Sequence, residues 1–139
     1  WVVLVAPKVS IPRKTATLYA ALRPDDFSDG FRVLAQADRL RAGGGLDPDL
    51  LGNAFARPLY RIRPDLAELP GAMRRLGASA VAVSGAGPSH YAAVGDPDAA
   101  AHLADRLRGA LGNRARVFAS PPLPPLAARR STGGQPGGR

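Results

Sequence analysis

Residues 80–94 of this 139-residue chain have the sequence Ala-Val-Ala-Val-Ser-Gly-Ala-Gly-Pro-Ser-His-Tyr-Ala-Ala-Val. Two short apolar runs, 80–83 and 91–94, flank a turn of small residues. Short apolar runs bounded by glycine and proline predict β-strands, so the segment is predicted to form a β-hairpin. Gly85 and Gly87 allow positive φ angles in the loop, which would leave backbone N–H groups uncovered.

The loop of this hairpin, Ser84, Gly85, Ala86, Gly87, Pro88 and Ser89, has two interpretations. Uncovered N–H groups in a small concavity can hold an anion, or they can allow another loop to approach the backbone. The alternative is an ordinary turn without a ligand. Two familiar phosphate motifs are excluded, because no lysine follows Gly87 and because His90 stands where a dinucleotide fingerprint needs a third glycine.

The rest of the chain alternates between helical periodicity and short extended runs. Thr15 is a plausible N-cap for the first helix, and Asp47-Pro48 and Asp96-Pro97 are typical helix starts. In the second helix, Phe31, Leu34, Ala37 and Leu40 are predicted to form the apolar side. Helices are predicted at 16–23, 29–41, 48–56, 64–76 (interrupted by Pro70-Gly71) and 97–111, and further strands at 2–6 and 114–119. This pattern predicts an α+β fold, with helices packed on one face of a small, mainly antiparallel four-stranded sheet.

Composition limits the class of protein. The chain lacks cysteine, which excludes disulfides and thiolate metal sites and is typical of a cytoplasmic protein. It lacks an apolar run of 18 residues, so no membrane-spanning segment is predicted. The net charge of +8 comes mostly from arginines scattered among the helices, without an aromatic-interleaved patch, so no nucleic-acid partner is expected.

The chain begins with Trp1 inside an apolar run rather than with methionine, so we expect it to be the C-terminal part of a longer polypeptide. Residues 1–120 are predicted to form one domain. Residues 121–139 are rich in proline and glycine, and we expect a disordered tail there.

Few residues of the chain are candidates for catalysis or ligand binding on their own. His90 and His102 lack the spacing of metal ligands, so no metal site is predicted. A triad of Ser84, His90 and Asp96 is not supported, because Ser84 lacks the G-x-S-x-G elbow. Tyr19 has two interpretations: its spacing favours core packing beside the neighbouring leucines, and the alternative is a stacking surface for a base.

Several segments together resemble one family. The first motif follows the first strand and consists of Val9, Ser10, Thr15, Ala16, Tyr19 and Leu22. Next comes a helix with the pattern L-x-N-x-F (Leu51, Asn53, Phe55). It is followed by Arg-Pro-Asp-Leu at 63–66, Leu-Gly-Ala at 76–78 and the hairpin segment at 83–94. In this order and spacing, residues 1–118 resemble the C-terminal half of the GHMP kinases. Within that superfamily, the first sixty residues are most similar to the 4-diphosphocytidyl-2-C-methyl-D-erythritol kinases.

The resemblance implies a ferredoxin-like domain of an ATP-dependent small-molecule kinase, with Mg²⁺ accompanying ATP. The phosphoryl acceptor would be the 2-hydroxyl of 4-diphosphocytidyl-2-C-methyl-D-erythritol, in non-mevalonate isoprenoid synthesis. Tyr19 and Thr15 would bind this substrate, with Tyr19 over the cytosine ring, and residues 84–89 would lie beside the phosphate site. The catalytic residues would belong to an N-terminal GHMP domain, so the fragment alone is expected to be inactive.

Two alternatives remain open at this point. Another GHMP kinase, of the homoserine or mevalonate type, would need no aromatic surface for a base. A stand-alone, non-catalytic α+β module that binds a ligand or a partner would need no second domain.

Overall fold

One antiparallel sheet of four strands organises the computed structural model, which describes residues 1–122. The strands are β1 (Val2–Pro7), β2 (Ala80–Val83), β3 (His90–Ala93) and β4 (Ala115–Ser120). Their order across the sheet is β2-β3-β1-β4, and each neighbouring pair is antiparallel. In the register, Leu4 of β1 lies opposite Tyr91 on one side and Phe118 on the other. The predicted hairpin and sheet are therefore confirmed.

Five α-helices accompany the sheet within the described residues. They are α1 (Lys14–Ala20), α2 (Phe31–Arg41), α3 (Ala56–Ile62), α4 (Leu69–Arg75) and α5 (Pro97–Leu111). α5 has the predicted bounds, because Asp96 caps its start and Gly112 ends it with a positive φ of 54°. The stretch predicted as a helix interrupted at Pro70-Gly71 is indeed split, into a short 3₁₀ turn, Pro64–Leu66, and α4, but the break lies before Leu69. Pro70 instead stands in the first turn of α4, where a backbone N–H has no partner within the helix and proline is tolerated.

The helix predicted at 48–56 is wrong. Asp47 does cap a turn, accepting a hydrogen bond from the Asp49 N–H at 3.0 Å, but this is a single 3₁₀ turn, Pro48–Leu50. Leu51 then takes extended angles, and helical structure resumes only at Ala56. The Asn53 side chain accepts the Phe55 N–H, a local bond that competes with helix continuation.

The core lies on one face of the sheet. Val3 and Val5 of β1 are fully buried against Leu103 and Leu107 of α5, with Met73 of α4 beside them. A second cluster continues this layer at the end of β2, where four buried residues meet: Leu18, Leu59, Leu66 and Val83. The predicted α+β architecture, with helices packed on a small antiparallel sheet, is confirmed.

α2 departs from its predicted packing. Phe31, Leu34 and Leu40, expected on an inward apolar side, are 66%, 65% and 48% exposed. The buried residue of this helix is instead Gln36, whose Oε1 accepts the Asp47 N–H at 2.8 Å. α2 is thus tied to the following loop by polar contacts rather than by an apolar stripe.

Two further sequence predictions concern the C-terminal tail and membrane-spanning segments. The predicted tail at 121–139 lies, from residue 123 onward, outside the described residues. Among residues 1–122, no helix combines the length and apolar character needed to cross a membrane.

His90, the first residue of β3, is fully buried. Its Nδ1 is 2.9 Å from the Pro88 carbonyl oxygen, which can only accept, so Nδ1 carries the proton. Nε2 then accepts the Tyr60 hydroxyl proton at 2.8 Å. Burial lowers the pKa of His90 below its ordinary value, since the interior disfavours the charged imidazolium.

We expect this histidine to make the fold sensitive to mild acid. The unfolded chain gains a proton on His90 below about pH 6.5 whereas the folded chain resists it, so the free energy of unfolding falls as the pH drops from 7 to 5. Each unit of pKa lowering corresponds to about 1.4 kcal/mol. Thermal unfolding at several pH values should show a flatter profile for His90→Asn, with exposed His102→Gln as the control. Parallel profiles for wild type and His90→Asn would contradict the assignment.

Candidate functional site

The loop between β2 and β3 is a tight, internally bonded turn. The Ser84 N–H donates to the Ser89 carbonyl at 2.8 Å, and the Gly87 N–H donates to the Ser84 carbonyl at 2.9 Å. Gly85 and Gly87 have φ angles of 55° and 70°, as the sequence predicted. The Gly87–Pro88 peptide bond is cis.

The two glycines are needed for different reasons. A Cβ at Gly87 would lie 2.8 Å from Leu59 Cδ2 and 3.4 Å from Val83 Cγ1, and Leu59 is fully buried. A Cβ at Gly85 would meet no atom within 4 Å, so only its backbone angles favour glycine there. The loop therefore packs its Gly87 side against α3 and presents its Gly85 side outward.

Two polar side chains anchor the loop from the helical layer. Asn53 Nδ2 donates to the carbonyl oxygens of Val83 and Gly85, at 2.8 and 2.9 Å. Lys14, the first residue of α1, donates from Nζ to the Gly87 carbonyl at 2.7 Å. The loop conformation is thus fixed by residues from distant parts of the sequence.

The outward side of the loop offers hydrogen-bond donors. Within residues 1–122, the N–H groups of Gly85 and Ala86 have no hydrogen-bond partner. Ser84 and Gly85 are exposed, and Lys14 contributes a positive charge nearby. Uncovered amides beside a cation suit an anionic group such as a phosphate.

Tyr19 is surface-exposed, and its predicted core packing is wrong. The short helix α1 turns Leu18 into the second cluster and leaves Tyr19 60% exposed. The Tyr19 ring stands edge-on against Phe55, with centroids 4.9 Å apart and planes at 71°. This aromatic pair holds the Tyr19 ring in place while most of its surface stays open to a ligand.

Thr15 is also exposed, but it does not cap α1. Arg13 occupies the N-cap position, with a left-handed φ of 47°, and makes no side-chain capping bond. Thr17 secures the helix start instead, donating from Oγ1 to the Pro12 carbonyl at 2.8 Å. Thr15 is therefore free of the capping role that the sequence suggested.

An ion pair fixes the chain that follows α1. The Asp26 side chain is almost fully buried and accepts hydrogen bonds from the Arg61 guanidinium and the Arg23 N–H. The hydrogen bond from Arg61 holds the pKa of Asp26 below its ordinary value. Arg57, one turn before Arg61 on α3, donates to the Asp25 carbonyl at 3.0 Å. α3 thus clamps residues 21–26 and, through them, the end of α1.

An open cleft of about 720 Å³ lies between α2 and residues 50–57. Its walls combine apolar side chains such as Phe27 and Val33 with the charged Arg32 and Arg57. Asn53 belongs both to this cleft and to the anchor of the Gly-rich loop. Val33 and Leu40, two exposed apolar residues of α2, therefore line a cleft that adjoins the candidate site, whereas Phe31 and Leu34 do not line it.

The structure does not assemble the other candidate chemistry. Both ring nitrogens of His90 are engaged by Tyr60 and Pro88, and the Asp96 carboxylate accepts the Ala99 N–H as a helix cap, so neither serves Ser84. Among residues 1–122, no three histidine, aspartate or glutamate side chains cluster closely enough to hold a metal ion.

Sequence reasoning missed three contributors: Lys14, Asn53 and Phe55. Asn53 and Phe55 were noticed as motif residues but given no role. Asn53 bonds carbonyls 30 and 32 residues away, the Phe55 ring contacts Tyr19 across 36 residues, and Lys14 bonds a carbonyl 73 residues away. Periodicity carries no signal at such separations.

Two curated kinases match most of this chain in sequence. It is 33% identical over 106 residues to the 4-diphosphocytidyl-2-C-methyl-D-erythritol kinase of Thermus thermophilus, covering 76% of this chain and 37% of the relative. The enzyme of the same name from Dehalococcoides mccartyi is 32% identical over 111 residues, covering 77% of this chain and 38% of the relative. The chain thus spans under two-fifths of the length of these curated relatives.

Solved structures show the same fold. A crystal structure of 4-(cytidine 5'-diphospho)-2C-methyl-D-erythritol kinase superposes with a TM-score of 0.67 at 31% identity, over 84% of this chain and 40% of that chain. Homoserine kinase from Cytophaga hutchinsonii superposes with a TM-score of 0.56 at 19% identity, over the same shares. The second match shows likeness of fold alone.

The family model described as GHMP kinases C terminal matches residues 36–113, more than half of the chain. That span includes Asn53, Phe55, the Gly-rich loop and the sheet strands β2 and β3, whereas α1, which carries Lys14 and Tyr19, lies before it. With this match and relatives above 30% identity, the chain belongs to the GHMP kinase C-terminal family.

Proposed function

We propose that this chain is the C-terminal part of an ATP-dependent kinase that phosphorylates the 2-hydroxyl of 4-diphosphocytidyl-2-C-methyl-D-erythritol, in isoprenoid biosynthesis. The observation that carries the proposal is the exposed Tyr19 ring, held by Phe55 on the scaffold that also anchors the Gly-rich loop. A cytidine-bearing substrate needs a flat surface for its base, and an exposed aromatic ring provides one. The names of the relatives support the same substrate.

In the proposed reaction, the γ-phosphoryl group of ATP passes to the substrate hydroxyl, and ADP leaves. Catalysis of phosphoryl transfer consists mainly of positioning and charge stabilisation. Residues 84–89 would shape the phosphate site, with the Gly85 and Ala86 amides and the nearby Lys14 charge favouring anionic oxygens. Mg²⁺ would accompany ATP and offset part of the negative charge on its phosphates.

The substrate would lie along α1. Tyr19 would stack on the cytosine ring, and Thr15, one helical turn earlier on the exposed surface, would bind the same substrate through its hydroxyl. Residues 1–120 would act as one domain beside an N-terminal GHMP domain that supplies the catalytic groups. The protein would work in the cytoplasm, and the 139-residue chain alone would not turn over substrate.

ADP release by the complete polypeptide that contains this chain tests the proposal. With ATP-Mg²⁺, turnover is expected with the diphosphocytidyl substrate and not with homoserine or mevalonate, and the 139-residue chain alone serves as the control. Turnover with homoserine or mevalonate instead would keep the kinase and overturn the cytidine assignment. A folded complete polypeptide without turnover on any of these alcohols would favour a non-catalytic binding module.

Tyr19→Ala should raise the KM for the cytidine substrate because it removes the stacking surface. Loss of one base–aromatic stack costs about 1–3 kcal/mol. The KM for ATP should stay unchanged, and Tyr19→Phe should retain most of the affinity. Steady-state kinetics would measure this, with Phe118→Ala, another exposed aromatic residue, as the matched control. An unchanged substrate KM in Tyr19→Ala would show that the ring does not contact the base.

A further inference from the structure

Asn53 is the residue at which the Gly-rich loop and the aromatic pair meet. It lies in the extended segment between the 3₁₀ turn Pro48–Leu50 and α3. Its Nδ2 group gives one hydrogen bond to the Val83 carbonyl and another to the Gly85 carbonyl, and its Oδ1 accepts the Phe55 N–H at 2.8 Å. Three of the four hydrogen bonds available to an asparagine amide are therefore made, each to backbone.

These bonds determine which way one loop peptide faces. The Gly85 carbonyl points inward, toward Asn53 Nδ2 at 2.9 Å. A peptide group is planar and trans, so the N–H of the next residue, Ala86, points to the opposite side. The Ala86 N–H therefore faces away from Asn53, and it has no partner within residues 1–122.

Glycine at position 85 makes this orientation dependent on an external anchor. Its φ is 55°, and a Cβ built there would meet no atom within 4 Å, so no side chain packs against the Cα of Gly85 to hold the 85–86 peptide from that side. Gly87, by contrast, is held by Leu59 and by the Lys14 bond to its carbonyl. Within residues 1–122, Asn53 provides the one side-chain hydrogen bond that reaches the Gly85 carbonyl.

The same side chain also fixes the aromatic pair. The bond from the Phe55 N–H to Asn53 Oδ1 sets the backbone where Phe55 begins the turn into α3. Phe55 in turn supports the Tyr19 ring at 4.9 Å. A change at Asn53 thus acts on both halves of the candidate site.

We propose that Asn53 is a positioning residue that keeps the Ala86 N–H directed outward as a donor for an ATP phosphate oxygen. This inference rests on the proposed function for its ligand, although the peptide orientation itself does not. An amide is required at position 53 because it donates two protons to carbonyls and accepts one from an N–H. Aspartate has nearly the same shape but no protons, so its carboxylate would face two carbonyl oxygens and favour rotation of the 85–86 peptide.

The test compares Asn53→Asp and Asn53→Ala with Asn113→Asp, the matched control at the chain's other asparagine, on the exposed turn Gly112–Arg114. In the complete polypeptide, Asn53→Asp should raise the KM for ATP about 10-fold or more, the size expected for losing a hydrogen bond to a charged group. Asn53→Ala should have a smaller effect, because it removes the donors without adding repulsion. The Asn113→Asp variant should behave as wild type.

A second readout follows the peptide directly. Labelling glycine carbonyls with ¹³C and alanine nitrogens with ¹⁵N selects Gly-Ala peptides, which in this chain occur at 71–72, 77–78, 85–86 and 109–110. The Ala86 amide should exchange quickly with solvent in wild type and more slowly in Asn53→Asp, where it turns toward the carboxylate. Addition of inorganic tripolyphosphate should shift the Ala86 signal in wild type and leave it unmoved in Asn53→Asp.

The outcomes separate this inference from the proposed function. An Ala86 signal with the same exchange rate in wild type and in folded Asn53→Asp would overturn the positioning role, whatever the enzyme's substrate. A changed Ala86 exchange rate with unchanged KM for ATP would overturn the phosphate contact. If the complete polypeptide lacked kinase activity, the tripolyphosphate shift and its loss in Asn53→Asp would still support the inference, and no shift in wild type would overturn it.

Discussion

The arrangement of this domain depends on the close contact between Gly87 and Leu59. Leu59 of α3 occupies the space that any side chain at position 87 would fill, and it is itself fully buried in the second cluster. At this contact between the sheet hairpin and the helical layer, no Cβ fits. Lys14 and Asn53 add polar bonds to the same loop from α1 and from the segment before α3. The loop backbone thus contacts elements from three parts of the chain, and these contacts determine its shape.

Sequence patterns correctly predicted the helices and strands whose two ends are set by residues within or next to them. α5 has its predicted bounds because Asp96 and Gly112 act within one turn of the helix they delimit. β2 was predicted from its apolar run and the glycines after it, and it spans the same residues in the structure. The helix predicted at 48–56 failed because Asn53 engages the backbone of Phe55 and the hairpin carbonyls, and the hairpin lies 30 residues further along. A tertiary contact there overrides a plausible local pattern.

The features of the candidate site likewise divide into those that the local sequence predicted and those that it did not. Glycine spacing predicted the positive φ angles of the loop, because backbone freedom is a property of the residue itself. The exposure of Tyr19 could not be derived from spacing, since α1 has only seven residues and Tyr19 directly follows Leu18, the residue that the structure buries. α2 shows the same limit: its apolar residues follow helical periodicity, yet Gln36 is the residue that turns inward. Periodicity indicates that a helix has two sides, and the packing partner decides which side is buried.

Comparing Gly85→Ala with Gly87→Ala tests the central claim, that packing against α3 fixes the loop, most directly. Both substitutions place a side chain at a positive φ, which costs about 1–2 kcal/mol, but only the one at position 87 meets Leu59. Urea denaturation of the two variants should show that Gly87→Ala loses about 1 kcal/mol or more of unfolding free energy beyond the loss in Gly85→Ala. Equal losses in the two variants would contradict the claim.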